Sequence, residues 1–398
     1  MRLRELGLSI GFGTPGPQNA ITDVAGVAVG HTTLISGAGR LDPGRGPVRT
    51  GVTVIRPVPD YVRESPLPAG VHTLNGNGEL TGMAWIAESG LLTTSVALTN
   101  THSVGVVRDA LAAMDSADGR ARTAGRALYW SMPVVGETYD GMLNDIEGAH
   151  VRPDHVAAAY DSAASGPVAE GSVGGGTGMI CHEFKGGIGT ASRVLPPADG
   201  GWRLGVLVQA NHGSRADLRV DGVPAGRFLP SSVVPVPGDY AAGGRLEPGT
   251  GSIIVVIATD APIVGDQCRR LAQRAAIGIG RAGGGTSDSS GDIFLAFSTA
   301  RQPVPAEYFL SGTRSPAVIE LRALPHDRLS PLFAAVAEAT EEAILNALLA
   351  ASDMTGRDGI TAHALTPDLL TTAFTQAADD LSRTAARLAR TAGHKAPQ

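Results

Sequence analysis

Apolar positions along the chain alternate between short β-type runs and longer runs with helical spacing. Runs of four to eight apolar residues that are rich in Val and Ile predict buried strands. The strand candidates are 51–56, 93–98, 202–208, 252–259 and 293–297.

Other segments have the three- and four-residue spacing of amphipathic helices. Residues 104–114 carry apolar side chains at helical spacing, and a further helix is predicted at about 262–279, with Asp260 as its cap. Two C-terminal helices each open with a hydroxyl residue followed by proline, at Ser330 and Thr366. Strands that alternate with outer helices predict a layered α/β architecture.

Composition narrows the class of protein. The chain has 398 residues, 43% of them hydrophobic and 18% charged, which is typical of a globular fold with an ample core. A net charge of −6 without any Lys/Arg block argues against a nucleic-acid partner. Two cysteines are too few for a disulfide framework. No signal peptide or membrane-spanning run is visible, so we expect a cytoplasmic protein without a membrane partner.

The junction of Gly251 and Ser252 is the most informative feature. Segment 222–251 holds seven Gly and five Pro, which predicts an exposed, irregular connection before the strand. A serine at this boundary could attack the carbonyl of Gly251 and become a new N-terminus. Its α-amine, with a reference pKa of roughly 7.7–8.0, could then serve as the base for its own hydroxyl. Thr250 also follows a glycine, so the choice of nucleophile stays open, and composition alone also fits a linker.

Polar side chains at strand ends and in glycine-rich loops complete a set of groups for acyl transfer. Asn211 and Tyr139 could donate hydrogen bonds to an oxyanion, and Glu137 could hold a substrate cation. Ser290 and Asp292 could orient the amine of the nucleophile. Taken singly, each of these residues also fits turn and cap chemistry.

Competing kinds of site fit the sequence less well. The glycines of 174–178 are not followed by Gly-Lys-[Ser/Thr], so a P-loop is not indicated. Residues 187–192 form an incomplete dinucleotide-binding pattern. Cys181, His182 and Glu183 are adjacent and lack a spaced partner pair, which does not match a zinc pattern. We therefore expect no metal and no cofactor, with a buried Cys and a hydrogen-bonded His instead.

An ordered set of longer motifs resembles the family of L-aminopeptidase/D-Ala-esterase-amidases and β-peptidyl aminopeptidases. The resemblance covers roughly residues 5 to 350. The motifs are 21–27 (ITDVAGV), 47–53 (PVRTGVT), 74–79 (LNGNGE), 99–105 (TNTHSVG), 173–190 (VGGGTGMICHEFKGGIGT), 251–256 (GSIIVV) and 290–297 (SGDIFLAF).

The resemblance implies a four-layer αββα sandwich similar to N-terminal-nucleophile hydrolases, formed by residues 1–398 as a single catalytic domain. It also implies autocatalytic cleavage between Gly251 and Ser252, into fragments of 251 and 147 residues (398 − 251 = 147) that stay associated. Members of this family form homo-oligomers of such pairs, commonly tetramers. The implied substrates are peptides, amides or esters with a free amine on an L-residue, D-Ala or a β-amino acid.

The resemblance also implies a role for each candidate residue. The matched positions are the nucleophile Ser252, the oxyanion donors Asn211 and Tyr139, the amine-binding Glu137, and the pair Ser290 and Asp292 near the nucleophile. Ser287 and Ser289 lie close to Ser290 and are alternatives to it. Other functions remain open: an amide hydrolase or acyltransferase of the same architecture, whose known members use Thr as nucleophile, and an uncleaved protein that binds a small ligand.

Overall fold

The computed structural model describes residues 1–60, 62–122, 130–240, 249–306 and 314–393. Strands β1–β6 are Ala28–Ser36, Val48–Arg56, Leu67–Gly76, Leu91–Leu92, Val96–Asn100 and Val134–Thr138. Strands β7–β12 are Ile180–Cys181, Phe184–Lys185, Gly187–Val194, Arg203–Gly213, Gly249–Thr259 and Gly291–Ser298, and β13 and β14 are Met354–Thr355 and Thr361–Ala362. Helices α1–α6 are Met83–Ser89, Val104–Arg122, Pro153–Asp161, Gly265–Ala282, Ser330–Ala350 and Pro367–Gly393.

Two sheets form the centre of the molecule. One has four strands in the order β1-β2-β5-β6, and the other has six in the order β4-β3-β12-β11-β10-β9. Pairs β5–β6 and β11–β12 are parallel, and the other pairs in these two sheets are antiparallel. The remaining short strands form two separate hairpins, β7–β8 and β13–β14.

The side chains of β11 show how the layers stack. Ile253, Val255 and Ile257 pack with residues of α4 and α5 on the outer face of the six-stranded sheet. Ile254 and Val256 belong to a second cluster that joins this sheet to the four-stranded one. Because both faces of β11 are buried, its apolar run is continuous rather than alternating.

A third cluster covers the outer face of the four-stranded sheet. It combines residues of β2, β5 and β6 with residues of α2 and α3, including Val54, Val107 and Val156. Helix, sheet, sheet and helix therefore follow one another across the molecule. This is the αββα sandwich that the family resemblance implied. Its three large core clusters lie between successive layers of secondary structure.

Helix ends differ from several sequence expectations. Helix α2 runs on to Arg122, and α4 begins at Gly265 rather than near 262. Asp260 does not cap α4, because its Oδ1 accepts the N–H of Arg203 at 2.7 Å. Ser330 lies inside the first turn of α5 and makes no capping bond, whereas Thr366 accepts the N–H of Leu369 at 3.3 Å. None of the described helices is long and apolar enough to cross a membrane.

The connection before β11 is more ordered than its composition suggested. Within 222–240 the chain makes 3-10 turns, and Leu229, Val234 and Val236 are buried. Strand β11 begins at Gly249 instead of Ser252, since Gly249 pairs with Gly213 across a bulge. The expectation of an exposed, irregular connection therefore holds only in part here, because the stretch has no strand or α-helix but buries several side chains, while residues 241–248 lie outside the described residues.

Candidate active site

A cavity of about 850 Å³ opens where the ends of the two sheets meet. The six-stranded sheet contributes Gly251, Ser252 and Asn211 to its wall. Glu137, at the end of β6, and Tyr139, just after it, line the same cavity. The structure therefore brings together five of the seven residues that the sequence singled out.

Ser252 lies near the start of β11, in register with the face that points between the sheets. It pairs with Asn211 of β10 on one side and with Gly291 of β12 on the other. Only 6% of the residue is exposed, and that part lies on the cavity wall. A hydroxyl held between two paired strands has a fixed position, which is what a nucleophile requires.

Gly251 has a backbone reason to be glycine. A Cβ at this position would lie 2.0 Å from the carbonyl oxygen of Asn211 and 3.1 Å from Cα of His212. Its φ of +156° is also a value that side-chain-bearing residues rarely adopt. The backbone at Gly251 therefore lies directly against the backbone of Asn211 and His212 in β10.

The Asn211 side chain is held by two hydrogen bonds. Its Oδ1 accepts the N–H of Ile180 at 2.7 Å, and its Nδ2 donates to the carbonyl oxygen of Tyr139 at 3.0 Å. These partners fix which end of the amide is oxygen and which is nitrogen. Since an amide nitrogen carries two hydrogens, the second N–H remains available to an oxyanion in the cavity.

Tyr139 is the more exposed of the two candidate oxyanion donors, with 46% of its surface accessible. Its ring lies over Gly141, where a Cβ would come within 2.3 Å of the tyrosine hydroxyl oxygen. Glycine at 141 therefore leaves room for the phenol at the cavity wall.

Glu137 is a buried carboxylate with two donors, and 3% of the residue is exposed. Its Oε1 accepts the backbone N–H of Glu79 at 3.0 Å, and its Oε2 accepts the hydroxyl of Thr101. Burial raises the pKa of Glu137, and the bonds from Thr101 and Glu79 act in the opposite direction. Because this carboxylate is shielded from solvent, a cation placed next to it would stabilise its charged form.

Ser290 and Asp292 lie behind the nucleophile rather than in the cavity. They flank Gly291, the strand partner of Ser252. Oδ1 of Asp292 accepts the Ser290 hydroxyl at 2.6 Å, and Oδ2 accepts Nδ2 of Asn75 at 2.7 Å. Burial raises the pKa of Asp292, and the hydrogen bonds from Ser290 and Asn75 act in the opposite direction.

The neighbouring serines are arranged differently from Ser290. Ser287 and Ser289 contact each other through their hydroxyl oxygens at 3.2 Å, and Ser289 is exposed on the cavity wall. The contact with Asp292 is made by Ser290, which is buried. This arrangement favours Ser290 as the residue coupled to Asp292.

Sequence reasoning assigned no role to Thr101, Asn75 or Glu79. All three lie in the polar motifs 74–79 and 99–105, which marked the right segments. Their partners Glu137 and Asp292 come from other strands, 36 and 217 residues away for Thr101 and Asn75. Only the packing of the sheets could identify these contacts.

A second polar cluster lies behind β10. Cys181 and His182, at the tip of the β7–β8 hairpin, meet His212, the residue after Asn211. The sequence could not show this meeting, because His212 is distant along the chain. Burial lowers the pKa of His182 to about 3 and that of His212 to about 4, and raises the pKa of Cys181 to about 12.

Comparison with known protein families finds relatives of this chain. The model of peptidase family S58 matches residues 19–362. The β-peptidyl aminopeptidase BapA of Sphingosinicella microcystinivorans is 50% identical over 368 residues, which cover 92% of this chain and 89% of that protein.

Solved structures agree in fold. A β-aminopeptidase of Burkholderia sp. superposes with a TM-score of 0.85 at 53% identity, covering 95% of this chain and 99% of that one. The L-aminopeptidase D-Ala-esterase/amidase of Ochrobactrum anthropi superposes with a TM-score of 0.83 at 42% identity, covering 94% of this chain and 98% of that one. The latter is described as a prototype of the serine aminopeptidases and a variant of the N-terminal-nucleophile hydrolase fold.

Proposed function

The chain belongs to peptidase family S58 and is a serine aminopeptidase of the N-terminal-nucleophile type, and we propose that it activates itself by cleavage between Gly251 and Ser252. One observation carries the proposal: Ser252 shares its cavity with Asn211, Tyr139 and Glu137. Residues 1–398 then form a single catalytic domain built from a 251-residue and a 147-residue fragment (398 − 251 = 147).

The cleavage step transfers an acyl group from nitrogen to oxygen. Oγ of Ser252 attacks the carbonyl carbon of Gly251, the C–N bond breaks, and the α-amine of Ser252 takes up the hydroxyl proton. The resulting ester between Gly251 and Oγ is then hydrolysed by water, which leaves a carboxylate on Gly251. The peptide bond that is cleaved lies at the bulge, where Gly251 is next to the backbone of Asn211.

In the catalytic cycle the freed α-amine is the base. It accepts the proton of Oγ as Oγ attacks the substrate carbonyl, and it returns this proton to the leaving amine or alcohol. The second N–H of Asn211 and the Tyr139 hydroxyl donate to the oxyanion. Water then attacks the acyl-enzyme ester and releases the amino acid. Ser290 and Asp292, which flank Gly291 beside Ser252, orient the amine.

Glu137 selects substrates with a free amine. A substrate ammonium in the cavity offsets the cost of burying this carboxylate, whereas an acylated nitrogen brings no charge. We propose peptides, amides and esters of an N-terminal L-residue, D-Ala or β-amino acid as substrates. The 50% and 53% identity with β-aminopeptidases, against 42% with the L-aminopeptidase, favours β-amino acids.

The family resemblance is the basis for proposing a homo-oligomer of cleaved pairs, most simply a tetramer. The cytoplasmic location stays a prediction from the sequence.

Four p-nitroanilides test the function: those of β-alanine and L-alanine, each with a free or an N-acetylated amine. We expect turnover of the free amines to exceed that of the acetylated forms by a factor of about ten to a hundred, since one charge-assisted bond is lost. Product must form without an added acyl acceptor. Turnover only with an acceptor would indicate an acyltransferase, and equal rates for both amine forms would contradict the role of Glu137.

A further inference from the structure

The cluster of Cys181, His182 and His212 has the chemistry of a metal site. One ligand atom from each residue lies within 4.8 Å of the others, and all three residues are buried. Sγ of Cys181 is 3.8 Å from Nδ1 of His212, and the two imidazole centroids are 5.3 Å apart. Thiolate and imidazole are the ligands that soft and borderline cations such as Zn²⁺ and Cu⁺ prefer.

Two imidazole nitrogens in this cluster have no partner. Nε2 of His182 and Nε2 of His212 are buried without a hydrogen bond among the residues that the structure describes. Nδ1 of His182 lies 2.9 Å from the carbonyl oxygen of Ser214, which requires the proton to be on Nδ1. Nε2 of His182 is therefore a bare lone pair, and leaving such a group unsatisfied costs about 1–3 kcal/mol.

The backbone at His182 is also unusual. His182 and Glu183 have φ values of +49° and +58°, so both residues of the two-residue hairpin turn are left-handed. Such turns favour Asn-Gly or Gly-Gly. A histidine and a glutamate there add backbone strain, and strained positions cluster at functional sites.

We propose that Cys181, His182 and His212 form a buried site for a thiophilic metal ion of the Zn²⁺ or Cu⁺ type. With metal–nitrogen and metal–sulfur distances of about 2.0–2.3 Å, tetrahedral ligands lie roughly 3.4–3.8 Å apart. Sγ of Cys181 and Nδ1 of His212 already have this spacing, and the third ligand needs to move by at most about 1.4 Å. Ser214 fixes the His182 tautomer in the way that outer partners of metal-bound histidines do.

The site supports the oxyanion side of the cavity. The N–H of His182 donates to the carbonyl oxygen of His212 at 2.7 Å, and Ile180, next to Cys181, donates to Asn211. A metal ion bound by Cys181, His182 and His212 would cross-link the β7–β8 hairpin to the end of β10, next to these hydrogen bonds. Metal loading should raise the melting temperature and hold Asn211 in place, without taking part in the reaction.

The test measures metal content in the full-length protein purified from cultures supplemented with zinc, copper or cobalt. The chain has only two thiols, and Cys268 donates to the carbonyl oxygen of Pro68 at 3.4 Å and belongs to no cluster of metal-ligating side chains among the described residues. Cys268→Ser is therefore the matched control for Cys181→Ser. His182→Asn is the variant most compatible with the turn, because asparagine tolerates a positive φ.

We expect one zinc or copper ion per chain in the unmodified protein and in Cys268→Ser, and elemental analysis tells which metal is bound. Loss should be at least about tenfold in Cys181→Ser and His182→Asn. The cobalt form should show a sulfur-to-cobalt charge-transfer band that survives Cys268→Ser, which assigns it to Cys181 even if Cys181→Ser does not fold. Trace metal alone in the unmodified protein, or a band lost in Cys268→Ser, would overturn the proposal. Metal content is independent of turnover, so this result stands apart from the peptidase proposal.

Discussion

In the cavity, the six-stranded sheet contributes Ser252 and Asn211, whereas the four-stranded sheet contributes Glu137. The two walls contribute residues with different roles. Ser252 is placed by strand pairing with Asn211 and Gly291. The Glu137 side chain is placed by hydrogen bonds from Thr101 and from the backbone of Glu79.

This difference suggests a division of labour between the sheets. Groups that form and break bonds need fixed positions, and sheet register supplies them on one wall. On the other wall, Glu137 supplies the negative charge that binds the substrate ammonium, and its donors Thr101 and Glu79 stabilise the carboxylate. Substitutions of Asn211 should therefore lower kcat, and those of Glu137 and its donor Thr101 should mainly raise KM.

Asn211→Ala gives the largest expected effect among the substitutions that leave the nucleophile in place. Removing one oxyanion donor lowers kcat by about 10²–10³, with little change in KM. Steady-state kinetics on a free-amine p-nitroanilide measure this loss. Asn77→Ala is the matched control, since Asn77 lines the same cavity but, unlike Asn211, is not the strand partner of Ser252. Equal losses in both variants would remove Asn211 from its proposed role.

Glu137→Gln comes next. The charge-assisted bond to the substrate ammonium is lost, so kcat/KM should fall about 10- to 100-fold, mostly through KM. The preference for free over acetylated amines should shrink by the same factor. Glu79→Gln is the control, because it removes an exposed neighbouring carboxylate and keeps the backbone N–H that Glu137 accepts. A fall in kcat alone for Glu137→Gln would contradict the division between the walls.

Thr101→Val is expected to have the smallest effect. Loss of a single side-chain hydrogen bond should raise KM about 2- to 10-fold. It should also move the pH profile. Burial already raises the pKa of Glu137, and the Thr101 hydroxyl opposes that shift. The carboxylate form binds the amine, so activity is lost as pH falls through this pKa, and without Thr101 the acid limb moves to higher pH.

Two further variants test whether the acid limb of the pH–activity profile reports the pKa of Glu137. Thr101→Ser should keep the acid limb where it is, since the hydroxyl is retained. Glu79→Gln should move it to lower pH, because the Glu79 charge raises the pKa of Glu137. An acid limb that is the same in all three variants would mean that another group controls it.

The sequence predicted the strands and helices of the fold better than the side-chain contacts of the candidate site. The unbroken apolar run from Ile253 revealed a strand buried on both faces, and the boundary at Ser252 marked the nucleophile candidate. The start of β11 at Gly249 was missed, because the bulge opposite Gly213 depends on a distant strand. The bonds from Thr101 and Asn75, and the position of His212, likewise depend on packing between segments that sequence spacing does not order.

The central claim is self-cleavage before Ser252, and the intact mass of the denatured chain tests it most directly, beside Ser252→Ala. We expect fragments of 251 and 147 residues in the unmodified protein and one 398-residue species in the variant. Fragments of 249 and 149 residues (398 − 249 = 149) would assign the new N-terminus to Thr250 instead. A single full-length species in both proteins, or fragments in both, would contradict the account.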